Sequence, residues 1–250
     1  MTTKRRRFYD VFCGLIKNAD LEELEAWYLK AVGVGYHGCV LCFELNRVER
    51  NNELVVTLND LRKNIDLLNE KGLHIYLRCH LKAETPGKVK RLLSFIRGWC
   101  DLISLEASSR EILAFASRDR RIDIVTLVPG ESPKFFRGDL LYLKEYGKFV
   151  EVPFSLLVED NPIRFSKNIS HARFLLEKPS VKNIPILISS GTVGSLDPRS
   201  LLSFSELVLG LDYSMLSRAM SIFIEKKIIE NKEKRLGIRP VEGVRVEDAM

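Results

Sequence analysis

No apolar run in this 250-residue chain approaches the roughly 20 residues that span a bilayer, which leaves no membrane-crossing helix to expect. The opening MTTKRRRFYDVF is basic, but no long apolar stretch follows it, so no signal peptide is expected and the expected location is cytoplasmic. Histidine is scarce. The four (His37, His74, His80 and His171) include no pair two or four residues apart, which removes His-x-His and His-x-x-x-His metal patterns. Cysteine is scarce too. Cys13, Cys39, Cys42, Cys79 and Cys100 make an odd count, and without a secretory signal they are expected to be buried free thiols. Cys39 and Cys42 form a CxxC, but no second one exists. Their neighbours GCVLCF look like a strand, where residues three apart face opposite sides. No zinc site is expected. The SSGTVGS stretch (189–195) lacks the Lys-Ser/Thr ending of a P-loop and the GxGxxG spacing of a dinucleotide site.

What remains is a globular balance, 46% hydrophobic and 29% charged, long enough for two small domains or one barrel-sized domain. The net charge is +6, which suits an anionic partner such as RNA without requiring one.

Strand and helix signals alternate along the chain. FYDVFCG (8–14) reads as a strand, and Asp20 with Glu23 reads as a capping box opening a helix that ends near Gly33 or Gly35. GCVLCFEL (38–45) is a second strand. Thr57 and Asp60 repeat the cap pattern ahead of a stripe of Leu58, Leu61, Ile65 and Leu68, with Gly72 as the stop. LHIYLRCH (73–80) alternates strictly, with Leu73, Ile75, Leu77 and Cys79 on one face and His74, Tyr76, Arg78 and His80 on the other. Further strands are expected at 101–106, 122–127, 148–154 and 185–189. Helices are expected at 86–96, 108–117, 140–146, 162–177, 198–209 and 213–230. About seven βα units imply an α/β fold with a parallel sheet, closed as a single TIM-like (β/α) barrel over residues 1–230. A basic tail is expected at 231–250.

Function in such barrels gathers at the C-terminal ends of strands, here Glu44, Arg78, His80, Glu106, Glu151, Ser189 and Ser190. A hydrolase would use such carboxylates with a metal or as acid and base. They serve equally as helix caps and ion-pair partners. The stretch SSGTVGSLDP resembles a phosphate cradle only loosely, and Asp197 with Pro198 reads as an ordinary helix start. Basic residues cluster at Arg5–Arg7, Lys88–Arg97, Arg118–Arg121, Arg164–Lys178 and in the tail. Each is compatible with phosphate contact or with a solvated face. Phe135 and Phe136, between Lys134 and Arg137, are candidates to stack on bases.

From Asp101 onward the order of motifs becomes specific: DLISLEASSREILAFASRDRRIDIVTL, PKFFRGDLL, FVEVPFSLLVEDNPIRFSKNISHARFLL, IPILISSGTVGSLDPRSLLSFSELVLGL and RAMSIFIEKKIIENKEKRLG. Together with FYDVF near the start, they resemble the archaeal and eukaryotic ribonuclease P protein subunit of the p-thirty type, called protein component three in archaea. The resemblance implies a barrel related to the PHP phosphoesterases without their metal ligands. It implies a non-catalytic subunit of the RNA-based endonuclease that removes 5′ leaders from precursor tRNA. The expected partners are the ribonuclease P RNA, a small partner protein and other subunits. No cofactor is expected on the chain itself, because Mg2+ is held by the RNA. By motif position, the implied RNA- or partner-facing residues are Arg110, Arg118, Arg164, Lys167, Arg173 and Arg199, with Arg78, Ser189 and Ser190 at strand ends. The alternative reading is a metal-dependent phosphoesterase of the PHP type.

Overall fold

The computed structural model describes residues 6–17, 20–46, 52–177, 181–191, 194 and 196–238. Seven parallel strands lie side by side in chain order: β1 (Tyr9–Ile16), β2 (Gly38–Asn46), β3 (Ile75–Lys82), β4 (Leu102–Glu106), β5 (Ile124–Thr126), β6 (Phe149–Pro153) and β7 (Ile186–Ser189). Each is hydrogen-bonded to the next, from Cys39 opposite Ile75 between β2 and β3 to Val150 opposite Ile186 between β6 and β7. β1 and β7 approach each other without a ladder. The seam is held by the Ser190 N–H, which donates to the Asp10 carboxylate at 3.2 Å. The fold is therefore a seven-stranded, nearly closed barrel, in agreement with the expected architecture.

Helices α1 (Leu21–Gly33), α2 (Asn52–Glu70), α3 (Pro86–Ile96), α4 (Arg110–Arg118), α5 (Arg137–Glu145), α6 (Pro162–Leu176) and α7 (Pro198–Leu209) follow the strands in turn. Their starts are local. Asp20, Ser109, Asn161 and Asp197 accept backbone N–H groups of the first turn, and proline occupies the first turn of α3, α6 and α7. Asp20 caps through the Glu22 N–H, and α7 ends on Gly210 at φ +69°. The second helix differs from expectation. It runs through Thr57, whose hydroxyl donates to the Glu53 carbonyl inside the helix, so the Thr57/Asp60 pattern is not a cap.

The apolar face of β3 (Ile75, Leu77, Cys79, Leu81) packs into one continuous core with buried helix residues such as Leu58, Leu61, Leu92 and Ile112. The chain closes with α8 (Tyr213–Arg218), a wide turn at 219–223 and α9 (Ile224–Arg235). These cover the end of the barrel where the strands begin. Tyr9 donates to Glu225 at 2.9 Å, Asn231 donates to the Asp101 carbonyl at 2.8 Å, and Arg235 lies 3.5 Å from the Asp101 carboxylate. Helix α9 thus extends past residue 230 to Arg235. The first part of the expected tail is barrel structure, because Asn231 and Arg235 have partners at the foot of β4. Residues 239–250 lie outside the described residues.

The free-thiol expectation is corrected for four of the five cysteines. Cys13–Cys39 and Cys79–Cys100 are disulfides with Cα separations of 5.9 and 6.0 Å, and Cys42 is the buried free thiol. Parallel neighbours bring Cys13 of β1 against Cys39 of β2, and Cys79 of β3 against the residue just before the Asp101 turn into β4. Pairing depends on which strands become neighbours, and a cysteine count does not carry that information.

Candidate functional site

Alternation along the strands sends two sets of side chains in opposite directions. The set directed into the barrel includes Asp10 and Phe12 from β1, Cys42 and Glu44 from β2, Arg78, His80 and Lys82 from β3, Ser104 and Glu106 from β4, Thr126 from β5, Glu151 from β6 and Ser189 from β7.

Arg78 is at the centre and is fully buried at 0% exposure. Its Nε donates to Ser104 Oγ at 2.7 Å. Its Nη1 donates to the Val11 carbonyl at 2.8 Å and to Glu151 Oε1 at 2.7 Å. Its Nη2 donates to Thr126 Oγ1 at 3.0 Å and to Glu151 Oε2. Glu151, also at 0% exposure, further accepts the Ser189 hydroxyl at 2.7 Å and the Thr126 hydroxyl at 2.8 Å. Burial works against ionisation of Glu151, but the Arg78 charge and these hydrogen bonds outweigh it and hold its carboxyl below the usual range. Arg78 is likewise shifted up: burial opposes its charge and Glu151 more than compensates.

His80 Nδ1 lies 2.8 Å from Ser104 Oγ. The Ser104 oxygen already accepts from Arg78, so its own proton points to Nδ1 and the imidazole proton resides on Nε2, which lies 3.4 Å from Glu106. Burial, reinforced by the Arg78 charge, pushes the His80 pKa down against the pull of Glu106. At the mouth Lys82 sits between Glu44 at 3.3 Å and Glu106 at 3.5 Å. Glu44, Glu106 and Glu151 each have a cation partner, whereas Asp10 accepts the backbone N–H groups of Phe12 and Ser190 through Oδ1, and its buried Oδ2 has no hydrogen-bond partner among the described residues. Glu151 is occupied by Arg78 where a metal would need it, and among the described residues no group of three His, Cys, Asp or Glu is placed to hold one. An arrangement of this kind stiffens the barrel. The one hydroxyl set against an imidazole in this cluster, Ser104 beside His80, is at 0% exposure and its oxygen is held by Arg78, so a substrate has no open path to it.

Three of the expected contact residues are corrected by this geometry. Arg78, Ser189 and Ser190 are buried, at 0% exposure, and cannot meet RNA or a partner surface. Alternation turns Arg78 and Ser189 into the barrel. Ser190 is consumed at the seam, where its Oγ accepts the Leu196 N–H at 2.8 Å. The adjoining Gly191 has φ +72°, and a Cβ there would lie 2.0 Å from the Ser155 hydroxyl, so the turn is packed against the loop after β6. Residues 192, 193 and 195 of the SSGTVGS stretch lie outside the described residues.

The other six lie on the outer helices, but not in one place. Helices run antiparallel to the strands they follow, so Arg110, Arg164 and Arg199, at helix starts, are near the mouth. Arg118 and Arg173, at helix ends, are near the opposite end, and Lys167 lies between. Arg118, Arg164, Lys167, Arg173 and Arg199 are exposed. Arg173 pairs with Glu177 at 3.5 Å and borders a cavity of about 530 Å3 between α6, α7 and α8. Arg110 is half-buried. It donates to Asp139 at 2.5 Å and to the Lys134 carbonyl at 3.0 Å, and its guanidinium lies over Phe136 at 4.4 Å.

At the far end of α4 from Arg110 is a set that reading by position missed. Arg118 lies over Tyr142 at 5.5 Å, Arg120 lies over Tyr146 at 4.6 Å, and the two tyrosine rings stack at 5.8 Å and 27°. The available signal was Tyr142 and Tyr146 four residues apart, one helical turn, facing the RDRR run. Of the two phenylalanines flagged for stacking, Phe135 is core at 2% exposure and Phe136 is exposed at 51%.

Among known proteins, a profile of the family described as RNase P subunit p30 matches residues 7–236. Ribonuclease P protein component 3 of Methanopyrus kandleri is 24% identical over 180 residues, covering 70% of each chain. A chain in the cryo-EM structure of archaeal ribonuclease P with mature tRNA superposes with a TM-score of 0.62 at 15% identity, over 97% of this chain and 98% of that one. Histidinol phosphate phosphatase from Lactococcus lactis, solved with zinc, L-histidinol and phosphate, gives 0.53 at 11% identity over 82% and 95%. These two likenesses concern the fold.

Proposed function

The chain belongs to the RNase P subunit p30 family, and from that premise we propose that it is a protein subunit of ribonuclease P, which removes 5′ leaders from precursor tRNA. It binds and steadies the catalytic RNA together with a small partner protein, in the cytoplasm. The observation that carries this reading is the family match over nearly the whole chain. The barrel interior agrees with it: Arg78 and Glu151 satisfy one another where a barrel enzyme would keep an open site. Catalysis then falls to the RNA and its Mg2+, and this chain holds no cofactor of its own. Its contribution is electrostatic. Lysine and arginine on the outer helices offset phosphate repulsion where RNA segments pack closely, which lowers the magnesium needed for the active fold.

The test is a reconstitution with and without this chain across a magnesium titration. Precursor-tRNA cleavage should reach half-maximal rate at a lower magnesium concentration when the chain is present. Cleavage indifferent to the chain overturns the reading. Phosphoester hydrolysis by the isolated chain with added metal would instead establish the phosphoesterase alternative. Arg164→Ala with Lys167→Ala should raise the magnesium requirement while leaving the thermal midpoint within a few degrees. An unchanged titration removes those two residues from the RNA contact.

A further inference from the structure

The surface made by α4, α5 and the loop after α4 differs in kind from a generally basic exterior. Residues 110–121 and 134–147 hold seven lysines and arginines against four acids. Two of those acids are already engaged: Asp119 accepts from Arg121 Nε at 2.9 Å and Nη2 at 2.6 Å, and Asp139 accepts from Arg110 at 2.5 Å and from the Phe136 N–H at 2.8 Å. Arg118 and Arg120 are exposed and lie instead over tyrosine rings. Three arginine–aromatic pairs follow one another along the two helices: Arg110 with Phe136, Arg118 with Tyr142, and Arg120 with Tyr146.

We propose that this face is a base-stacking contact for unpaired nucleotides of RNA, with Arg118, Arg120, Tyr142 and Tyr146 as its central residues. The inference rests on the RNA-subunit reading above and specifies where, and in what form, the RNA is met. A guanidinium held over a ring has lost much of its rotamer freedom before any ligand arrives, so less is lost on binding. Its outer plane can stack on a base while its N–H edge reaches phosphate. Duplex RNA would use the charge and leave the planes idle. Unpaired bases use both, because every base has a π face. The tyrosine rings are 5.8 Å apart, less than the roughly 7 Å that two stacking steps of about 3.4 Å require, so bases stack on the outer side of the pairs and do not insert between the rings.

The experiment measures binding of the ribonuclease P RNA by filter retention at several salt concentrations, with cleavage by the reconstituted holoenzyme and the thermal midpoint followed in parallel. Arg118→Gln with Arg120→Gln should weaken binding at least tenfold and reduce the salt slope by about two. Tyr142→Leu with Tyr146→Leu should weaken binding by about five- to a hundredfold with the salt slope unchanged, because a stacking loss releases no counterions. Arg118→Lys with Arg120→Lys should keep the slope and still lose affinity, since an ammonium has no plane. Tyr142→Phe with Tyr146→Phe should bind as wild type. If wild type binds and supports cleavage while the leucine variant does the same, the stacking face is wrong and the subunit reading stands. If the leucine variant loses affinity only in proportion to its thermal midpoint, or loses the partner protein and keeps RNA, the inference is equally overturned. A wild-type chain that neither binds the RNA nor supports cleavage overturns both.

Discussion

Arginine occurs in two settings here, and the contrast between Arg78 and the pair Arg118 and Arg120 separates scaffold from surface. Arg78 has all three guanidinium nitrogens engaged, is out of contact with water, and faces a carboxylate for which no second salt-bridge partner is placed among the described residues. Arg118 and Arg120 are in water, and aromatic faces orient them. In the first setting the charge is spent within the fold. In the second it stays available to a ligand. Charge counting treats all three alike; burial distinguishes them.

The largest effect should come from breaking the interior pair. Arg78→Met leaves Glu151 buried without its cation and should cost about 3–5 kcal/mol in denaturant unfolding. Arg78→Met with Glu151→Met should recover most of that. A single variant as stable as wild type would mean that the interior is not locked by this pair. Next is Asp101, which accepts from the Leu77 N–H at 2.9 Å and Arg62 at 2.7 Å and lies near Arg235. Asp101→Ala should cost about 3 kcal/mol, within the range for removing one partner of a buried network, and should speed hydrogen exchange in α9 ahead of the strands. Uniform exchange would place the loss elsewhere.

A third setting lies between the two. Lys148 is buried at the foot of β6, where its ammonium donates to the last carbonyls of α4, Ala116 at 2.6 Å and Asp119 at 2.5 Å. Burial pulls its pKa down to about 7 against the attraction of Asp123 and Asp119. The unfolded chain holds that proton to about pH 10.4. Between the two values the unfolded state binds more protons, so stability should rise with pH from about 7 to about 10. Lys148→Met should flatten that rise; a pH profile identical to wild type would count against the shift. The smallest stability effect is expected outside: Arg118→Gln with Arg120→Gln should change unfolding by no more than about 2 kcal/mol, the sum of two exposed cation–π pairs at about 0.5–1 kcal/mol each. A larger loss would make those arginines part of the scaffold and end the contrast.

Much of this was legible without coordinates. The strict alternation of LHIYLRCH marks a half-polar strand, and the recurrence of such strands between capped helices gives the seven βα units and the barrel. Helix starts were legible where a single side chain decides them, as at Asp197 and Pro198. The second helix was misplaced because Thr57 has the right chemistry for a cap but bonds back to Glu53 within a helix that had already begun.

What sequence alone determined is therefore local or periodic: strand faces, helix stripes, caps, and the family-specific order of motifs. What the tertiary structure decided is which faces look inward and which strands become neighbours. Arg78, Ser189 and Ser190 looked available at strand ends and are buried; four cysteines looked free and are paired; Tyr142 and Tyr146 looked unremarkable and meet Arg118 and Arg120. The reason is physical. Periodicity assigns a side chain to one of two faces, but burial, pKa and pairing depend on groups tens of residues away, brought within a few ångströms only when the barrel closes.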